Sequence, residues 1–562
     1  MNKVYAKKYL ILPGTDECQI EKIAMMFLEH PRDTHFIFEP GCYHFYQENT
    51  QKRSFAVTNS DQAEQCNIAL LMEGMENVLL DGQGAQFIFH GDMTPIAISC
   101  CQRIKVKNFS IDFEIPLSAE ARILSANKNE IEIFLDHTIF PYAIEDETLI
   151  FDRGHGQKAP LFAALEFDAQ TNKVRAGAGD TFPKVKAYEV EPDIVCLKGD
   201  FTVLPQLGNI LVLRHGKRIH PGAFIQDSED ISIEYVKVHQ TCGLGFVFQF
   251  CKDILVSHVS FCANYRKGRM VLSGHDDGLH FSNNKGTILV EHCSFHGLMD
   301  DSINVHGTAV CILKKTTENT LRCVYRHPQS VGFEKWAMKG DQIAFLNKPN
   351  RICEKMATVL EYKLLSPTEF ELTFTTPISS SEEELLEYVL ENLTNTPALI
   401  CRKNYFGSNR ARGLLFTTPK PALIEDNVFE SSGSAILIAG DVNEWYESGT
   451  CTDVTIRNNK FLNCFTSKYQ FCNAVIHIEP GVTSGQKEIV HHGIRIEDNL
   501  FVMSSKALLY ADHTGDITLR GNCIFMNERE ISPALILSDC ENIQADSNIL
   551  NSANYPFEFE EI

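Results

Sequence analysis

No stretch of this chain approaches the ~20 consecutive apolar residues that a membrane-spanning helix needs, so no membrane span is expected. It has no low-complexity tract and no linker that would tether separate domains. Basic residues are short: 51 Lys and Arg stand against 73 Asp and Glu, a net charge of −22. An acidic surface argues against nucleic acid or an anionic membrane as partner and is compatible with a neutral substrate such as a sugar. The start, MNKVYAKKYLILPG, offers only Tyr-Leu-Ile-Leu between Lys8 and Pro13. That is too short for the apolar core of a signal peptide. The expected compartment is therefore cytoplasmic, with a secreted or periplasmic chain whose signal has been removed as the alternative. The chain lacks the tight His/Cys constellation that zinc uses, and no metal or other cofactor is expected. Cysteine is plentiful, but its 19 residues are odd in number and scattered, several on strand-like runs (Cys251, Cys293, Cys523). Buried free thiols are the favoured reading over a disulfide framework.

What the chain does have is a repeat. Apolar residues recur at positions 1, 3, 6 and 8 of an octet: IKVKNFSI at 104, ISIEYVKV at 231, ILVSHVSF at 254 and ILVEHCSF at 288. The pattern continues as ALIEDNVF at 422, VTIRNNKF at 454, IRIEDNLF at 494, ITLRGNCI at 517 and IQADSNIL at 543, with VLLDGQGA at 78 as a degenerate first member. Spacings of 23 and 26 residues recur. Positions 1 and 3 share a strand face, and the switch to 6 and 8 needs a corner at positions 4 and 5. Asn at position 6 of the last five octets suits an internal ladder of side-chain amides. The fold class is therefore all-β: a right-handed parallel β-helix, each coil ~4.8 Å above the last. A β-sandwich has no reason to repeat one corner at this interval.

The register breaks twice, which predicts two small inserted β-barrel-like domains. The expected organisation is an N-terminal cap and first coils over 1–112, a first insertion over 113–215, coils over 216–307, a second insertion over 308–400 and C-terminal coils over 401–562. Asp16 to His30 reads as a capping helix, Glu382 to Leu393 (EEELLEYVLENL) as a short amphipathic helix, and the end, FEFEEI, as a frayed tail. One insertion is expected to supply a groove wall or a homodimer contact.

The stretch Ser273 to Gly307 carries two acidic pairs, Asp276-Asp277 and Asp300-Asp301, with one octet between them. On adjacent coils, Asp277 and Asp300 would have backbones ~5 Å apart if they held equivalent places. Carboxylates so close raise at least one pKa, so one stays protonated while another is ionised, as glycoside hydrolysis requires. Asp277, Asp300 and Asp301 are the candidate catalytic residues. Among the flanking residues His275, Asn304 and His306 are candidate sugar contacts, whereas His280 and His296 read as structural. A second polar stretch adds Arg410 and Arg412, two apart and so on one strand face, and Trp445 with Glu447, an aromatic and an acid suited to a pyranose. Asp at a solenoid corner can also be a mere turn former, and clustered carboxylates suit Ca²⁺.

At these residues the chain resembles glycoside hydrolase family 110, the α-1,3-galactosidases. The motifs are DDGLHF (276–281), MDDSINVHG (299–307), NRARGLLFTT (409–418), IEDNVF (424–429) and ILIAGDVNEWYESG (436–449). The resemblance covers most of the chain, including a β-helix interrupted by two β-barrel insertions. It implies exo-acting, metal-free hydrolysis of terminal α-1,3-linked galactose with inversion, on a galactose-terminated oligosaccharide or glycoconjugate, with the three aspartates as the active-site acids. Two features depart from it: the family is typically exported, and Asp276 adds a carboxylate. The alternatives are a Ca²⁺-dependent polysaccharide lyase, disfavoured by the few Lys or Arg near the Asp pairs, and a non-catalytic glycan-binding β-helix.

Overall fold

The computed structural model describes residues 1–447, 449–528, 532–551 and 557–561. Two long parallel sheets run the length of the molecule, and the fold is the expected right-handed parallel β-helix. The octets build the first sheet. Their first positions stack in register from Val78 through Ile104, Ile231, Ile288 and Val454 to Ile543. The second sheet passes through Ala223–Gln226, Phe246–Gln249, Leu279–Ser282, Ile303–His306 and Leu414–Phe416.

From the octet at 104 onward each turns at its fifth residue, whereas the degenerate one at 78 turns at Gln83 and Gly84. Asn108, Tyr235, His258, His292, Asp426, Asn458 and Asp498 all have φ between 54° and 61°. Asn and Asp tolerate this left-handed region best, which is why they recur at the corner. Where bulkier rings occupy it they stack on one another, Tyr235 on His258 at 4.4 Å and His258 on His292 at 4.8 Å.

Past the corner, position 6 points inward. Asn404, Asn427, Asn459, Asn499, Asn522 and Asn548 form one chain of amides, each Nδ2 donating to the next Oδ1 at 2.9–3.1 Å. Position 8 forms a parallel stack of phenylalanines, Phe261, Phe295, Phe406, Phe429, Phe461 and Phe501, with centroids 4.3–5.8 Å apart. Each such fully buried ring contributes about 1.5–3 kcal/mol of apolar burial. All 19 cysteines are free thiols.

The first insertion leaves after Gln102–Phe113 and returns at Ala223–Gln226, carrying an antiparallel sheet from Ala119–Ala126 to Ile210–His215 whose outer strands curl into contact. The second is a closed six-stranded barrel between Val310–Thr317 and Tyr388–Asn392, with its own buried core around Trp336 and Phe370. They occupy different corners. The first departs between an octet and the following strand of the second sheet; the second departs between a second-sheet strand and the following octet.

Four expectations need correction. The coil resumes at Ala398–Arg402, before residue 401, because LICRKNYF at 399 is itself an octet, in register with 288 and 422. The helix at 382–393 stops at Leu386; Tyr388–Asn392 is instead a fully buried strand that closes the second barrel, so tertiary pairing overrides the helical periodicity. At the N-terminus the helix is Ile20–Glu29, and Thr15–Cys18 is a strand on Cys42–Tyr46. The end is not frayed over Glu558–Glu561, which pairs in parallel with Ala534–Ser538; Ile562 lies outside the described residues. Among the described residues no helix is long and apolar enough to cross a membrane.

Candidate active site

Along each second-sheet strand alternate side chains face away from the core. Leu279, Phe281, Ile303, Val305, Leu414 and Phe416 point in; His280, Asn304, His306, Leu415 and Thr417 point out. A pocket of about 340 Å³ lies over this outer face. One wall is the corner with the acidic pairs and the Arg410–Arg412 loop. The other is the corner with the second barrel and residues 440–447. Asn59 reaches in from the N-terminal segment.

The register of the two acid-bearing coils differs by one residue from the expected one. Leu279 pairs with Ile303, and Gly278 N donates to the Asp301 carbonyl at 2.9 Å, so Asp277 matches Asp301 and Asp276 matches Asp300. The nearest oxygens of Asp277, Asp300 and Asp301 lie within 4.8 Å of one another. All three line the pocket; Asp277 and Asp301 are buried, with side chains 6% and 2% exposed, and Asp300, at 22%, is the most open.

The charges here are balanced by four arginines, not the few basic groups expected. Arg410 bonds Asp300 at 2.9 Å while its other nitrogens hold Asp180 of the first insertion at 2.6 and 2.8 Å. Arg412 donates to Asp301 from its guanidinium at 2.8 Å and its backbone at 3.1 Å. These two extend from a loop, with Ala411 in the left-handed region between them, rather than from a strand face. Arg214 lies 3.3 Å from Asp276, and Arg218 lies 3.9 Å from both Asp276 and Asp300. Both lie where the first insertion runs back to the coil, Arg214 on its last strand and Arg218 just after it, in the run RHGKRIHPG (214–222). A basic run in so acidic a chain was the available signal for them.

Burial pushes the Asp276 carboxyl up, but His275, Arg218 and Arg214 outweigh it and hold it below the ordinary range. Asp276 is therefore a buried counter-ion. Asp301 is pushed up to about 7 by burial and by Asp300, against the pull of Arg412. Asp277 rises well above the ordinary range through burial and the charges of Asp300 and Asp301. It is hydrogen-bonded to His280 Nδ1 at 2.8 Å instead of to a guanidinium. The carboxylate spacing would suit one small cation, yet Arg410 and Arg412 already compensate two of the three groups.

Of the candidate sugar contacts, Asn304, His306, Arg410, Arg412, Trp445 and Glu447 line the pocket. His275 does not. Its Nδ1 bonds Asp276 at 2.7 Å and its Nε2 the His215 carbonyl at 2.8 Å, so it orients the counter-ion. Trp445 lies against His327 at 4.5 Å and under the Arg218 guanidinium at 5.4 Å, so it braces the wall between the two insertions. Glu447 accepts from Asn59 at 2.5 Å and from Asn304 at 3.5 Å. The insertions also hold the acid loop in place. Glu120 of the first accepts the backbone N–H groups of Met270, Val271 and Leu272 at 2.6–2.8 Å, just before Asp276-Asp277.

A β-solenoid with a pocket floored by three carboxylates and rimmed by arginine, tryptophan and amide groups defines a carbohydrate-active enzyme of the glycoside hydrolase class. Sequence profiles described as GLAA-B beta-barrel domain I and domain II match residues 119–211 and 320–384, the two insertions. Alpha-1,3-galactosidase B of Bacteroides thetaiotaomicron is 39% identical over 513 residues, 90% of this chain and 82% of that one, and alpha-1,3-galactosidase A of Bacteroides fragilis is 32% identical over 497 residues, 87% and 81%. The chain belongs to the α-1,3-galactosidase family, as its motifs suggested. Among solved structures, a Yersinia enterocolitica family 28 exopolygalacturonase covers 100% of this chain and 77% of its own, with a TM-score of 0.44 at 8% identity.

Proposed function

We propose that this enzyme removes terminal α-1,3-linked galactose from the non-reducing ends of glycans, with inversion at the anomeric carbon. The carrying observation is the carboxylate triad on the floor of a pocket walled at both corners. At about 340 Å³ the pocket is at the small end of ligand sites, ~300–1,000 Å³, which suits a chain end better than the middle of a polymer. The balance of aspartates by arginines suits an uncharged sugar. Asn304, Glu447 and Arg410 are placed to bond hydroxyls, and the triad supplies the acid and the base.

The spacing calls for a closer look. Carboxyl groups ~5–5.5 Å apart usually mean a covalent intermediate, and ~6.5–9.5 Å a directly attacking water. Oxygens within 4.8 Å resemble the first case. Two features favour the second. The deeply buried Asp277 and Asp301 are poorly exposed for attack on carbon, and Arg410 clamps the accessible Asp300. Three carboxylates also allow the matched pair, Asp277 and Asp301, to hold a water between them, since two hydrogen bonds of ~2.7 Å through one oxygen span about this distance.

Proton NMR of the first-formed sugar from an α-1,3-galactoside tests this. β-Galactose is expected. α-Galactose would replace inversion by a covalent route, and no galactose at all would remove the reading.

A further inference from the structure

Behind Asp277 stand two imidazoles that the hydrolytic scheme leaves without a task. His280 is fully buried on Leu279–Ser282, and His306 is 2% exposed on Ile303–His306 of the next coil. Asp277 Oδ2 lies 2.8 Å from His280 Nδ1, His280 Nε2 lies 2.9 Å from His306 Nε2, and His306 Nδ1 lies 2.7 Å from the Gly307 carbonyl. The rings meet edge to face with centroids 4.9 Å apart.

The far end of this line is fixed. A carbonyl only accepts, so His306 Nδ1 carries a hydrogen. One further hydrogen lies between the two Nε2 atoms. With it on a neutral His280, the Nδ1 of that ring has a free lone pair, and Asp277 must donate to it as a carboxylic acid. With it on His306, that ring is an imidazolium, His280 Nδ1 carries a hydrogen, and Asp277 is a carboxylate. The two arrangements contain the same number of protons. They interconvert when Oδ2–H breaks as Nδ1–H forms on one side of His280, and Nε2–H breaks as the His306 Nε2–H forms on the other.

We propose that His280 and His306 are a proton relay that carries the proton of Asp277 to and from the Glu447 side of the pocket. The geometry supports this at both ends. Asp277 meets the pocket among the carboxylates of Asp300 and Asp301, whereas His306 meets it on the far side, with its Nε2 3.7 Å from Glu447 Oε1. An inverting hydrolase gains a proton at its base and loses one at its acid in every turnover, so a buried carboxyl in the triad needs a route to reset. This inference rests on the hydrolytic reading and deepens it. Burial, with His306 and Arg218 nearby, keeps His280 itself from holding the charge. The groups facing the relay are Asp276, Asp300, Asp301 and Arg218 at the Asp277 end, and Glu447, with His327 near it, at the His306 end. His280 and His306 act through Asp277 and are positioning residues.

The test uses full-length His280→Gln and His306→Ala, assayed on an α-1,3-galactoside across pH, in H₂O and D₂O, with and without imidazole. In both, kcat is expected to fall about tenfold with KM little changed, below the ~10²–10⁴ of a group that transfers the proton directly. The limb of the pH profile belonging to Asp277 should move, the solvent isotope effect should change, and imidazole should restore part of the His306→Ala loss. Variants that keep the wild-type pH profile and isotope effect, whatever their kcat, overturn the relay in favour of plain packing. Should a variant not fold, ¹⁵N-histidine spectra of the wild-type protein decide: an Nε2–H tautomer for His280 and an Nδ1–H tautomer for His306 support the relay, and the opposite pair overturns it. Those spectra need no turnover, so they read the relay even if the substrate assignment fails.

Discussion

Replacing Asp300 by Asn is expected to lower kcat by ~10²–10⁴-fold, the scale of a proton-transfer group, and to leave the melting temperature close to wild type. The two readouts separate because Arg410 keeps both bonds to Asp180 after the change. Asp277→Asn should lose as much activity and melt at or above the wild-type temperature. Burial and the neighbouring carboxylates raise the Asp277 pKa above its unfolded value. A carboxyl shifted that way adds stability below its unfolded pKa and loses it as pH rises through its folded pKa. At neutral pH and above it therefore weighs against the fold. An amide, which can still donate to His280 Nδ1, removes that cost, and the advantage of the variant should grow with pH. Asp301→Asn is different. It also loses kcat, but it strips Arg412 of its carboxylate, and breaking one side of a buried ion pair costs about 3–5 kcal/mol. Relieving carboxylate repulsion is thus expected to leave the fold intact at Asp277 and Asp300 and to cost stability at Asp301, where an ion pair is lost. Steady-state kinetics and thermal melts on the three variants check this. Wild-type kcat in any two of them would take the triad out of the chemistry.

The solenoid was legible because each coil places its side chains in the same surroundings, so the demands recur in the sequence: Val or Ile at position 1, a left-handed corner at 5, Asn at 6, Phe at 8. The same regularity made the acid pairs readable, since coils turn sequence distance into spatial adjacency. Where regularity fails, so does the reading. The octet at 399 is hard to recognise because Cys401 stands at its third position and it follows directly on an insertion. Leu385, Leu386, Val389 and Leu390 fit a helical period, yet Tyr388–Asn392 is needed to close a barrel whose other strands lie up to 78 residues away. The one-residue register difference between Asp277 and Asp300 depends on loop lengths that periodicity does not encode. Asn59, Asp180, Arg214, Arg218 and His327 belong to the site or its walls, but they come from the N-terminal segment and the two insertions, and no local pattern ties them to Asp277. His275 misleads for the converse reason: it is adjacent in sequence to Asp276, but its ring bonds the His215 carbonyl and does not line the pocket.

The other large effect lies in the scaffold. Asn459→Ala, in the middle of the amide ladder, is expected to cost about 3–9 kcal/mol. Asn459 Oδ1 accepts from the backbone and side-chain nitrogens of Asn427 at 2.9 and 3.0 Å. Its Nδ2 donates to the Ile424 carbonyl at 2.9 Å and to Asn499 Oδ1 at 3.1 Å. Alanine leaves the Asn427 N–H, one Asn427 amide hydrogen and the Ile424 carbonyl buried without those partners, and each such group costs about 1–3 kcal/mol. Asn499 is partly spared, because Oδ1 still accepts the backbone N–H of residue 459 at 2.9 Å. The ladder is a series, so position should matter as much as identity. Asn548 ends it; its Oδ1 accepts both nitrogens of Asn522, but Asn548 itself is only partly buried, so shortening it to alanine opens those groups toward water. Asn548→Ala should therefore cost a small fraction of what Asn459→Ala costs. Calorimetric melts of the two variants, with kcat measured on whatever remains folded, make the comparison. Equal losses at the two positions would mean that the amides act one by one and not as a buried, connected column. A loss at Asn459 below ~1 kcal/mol would mean that the stacked apolar rows carry the solenoid without it.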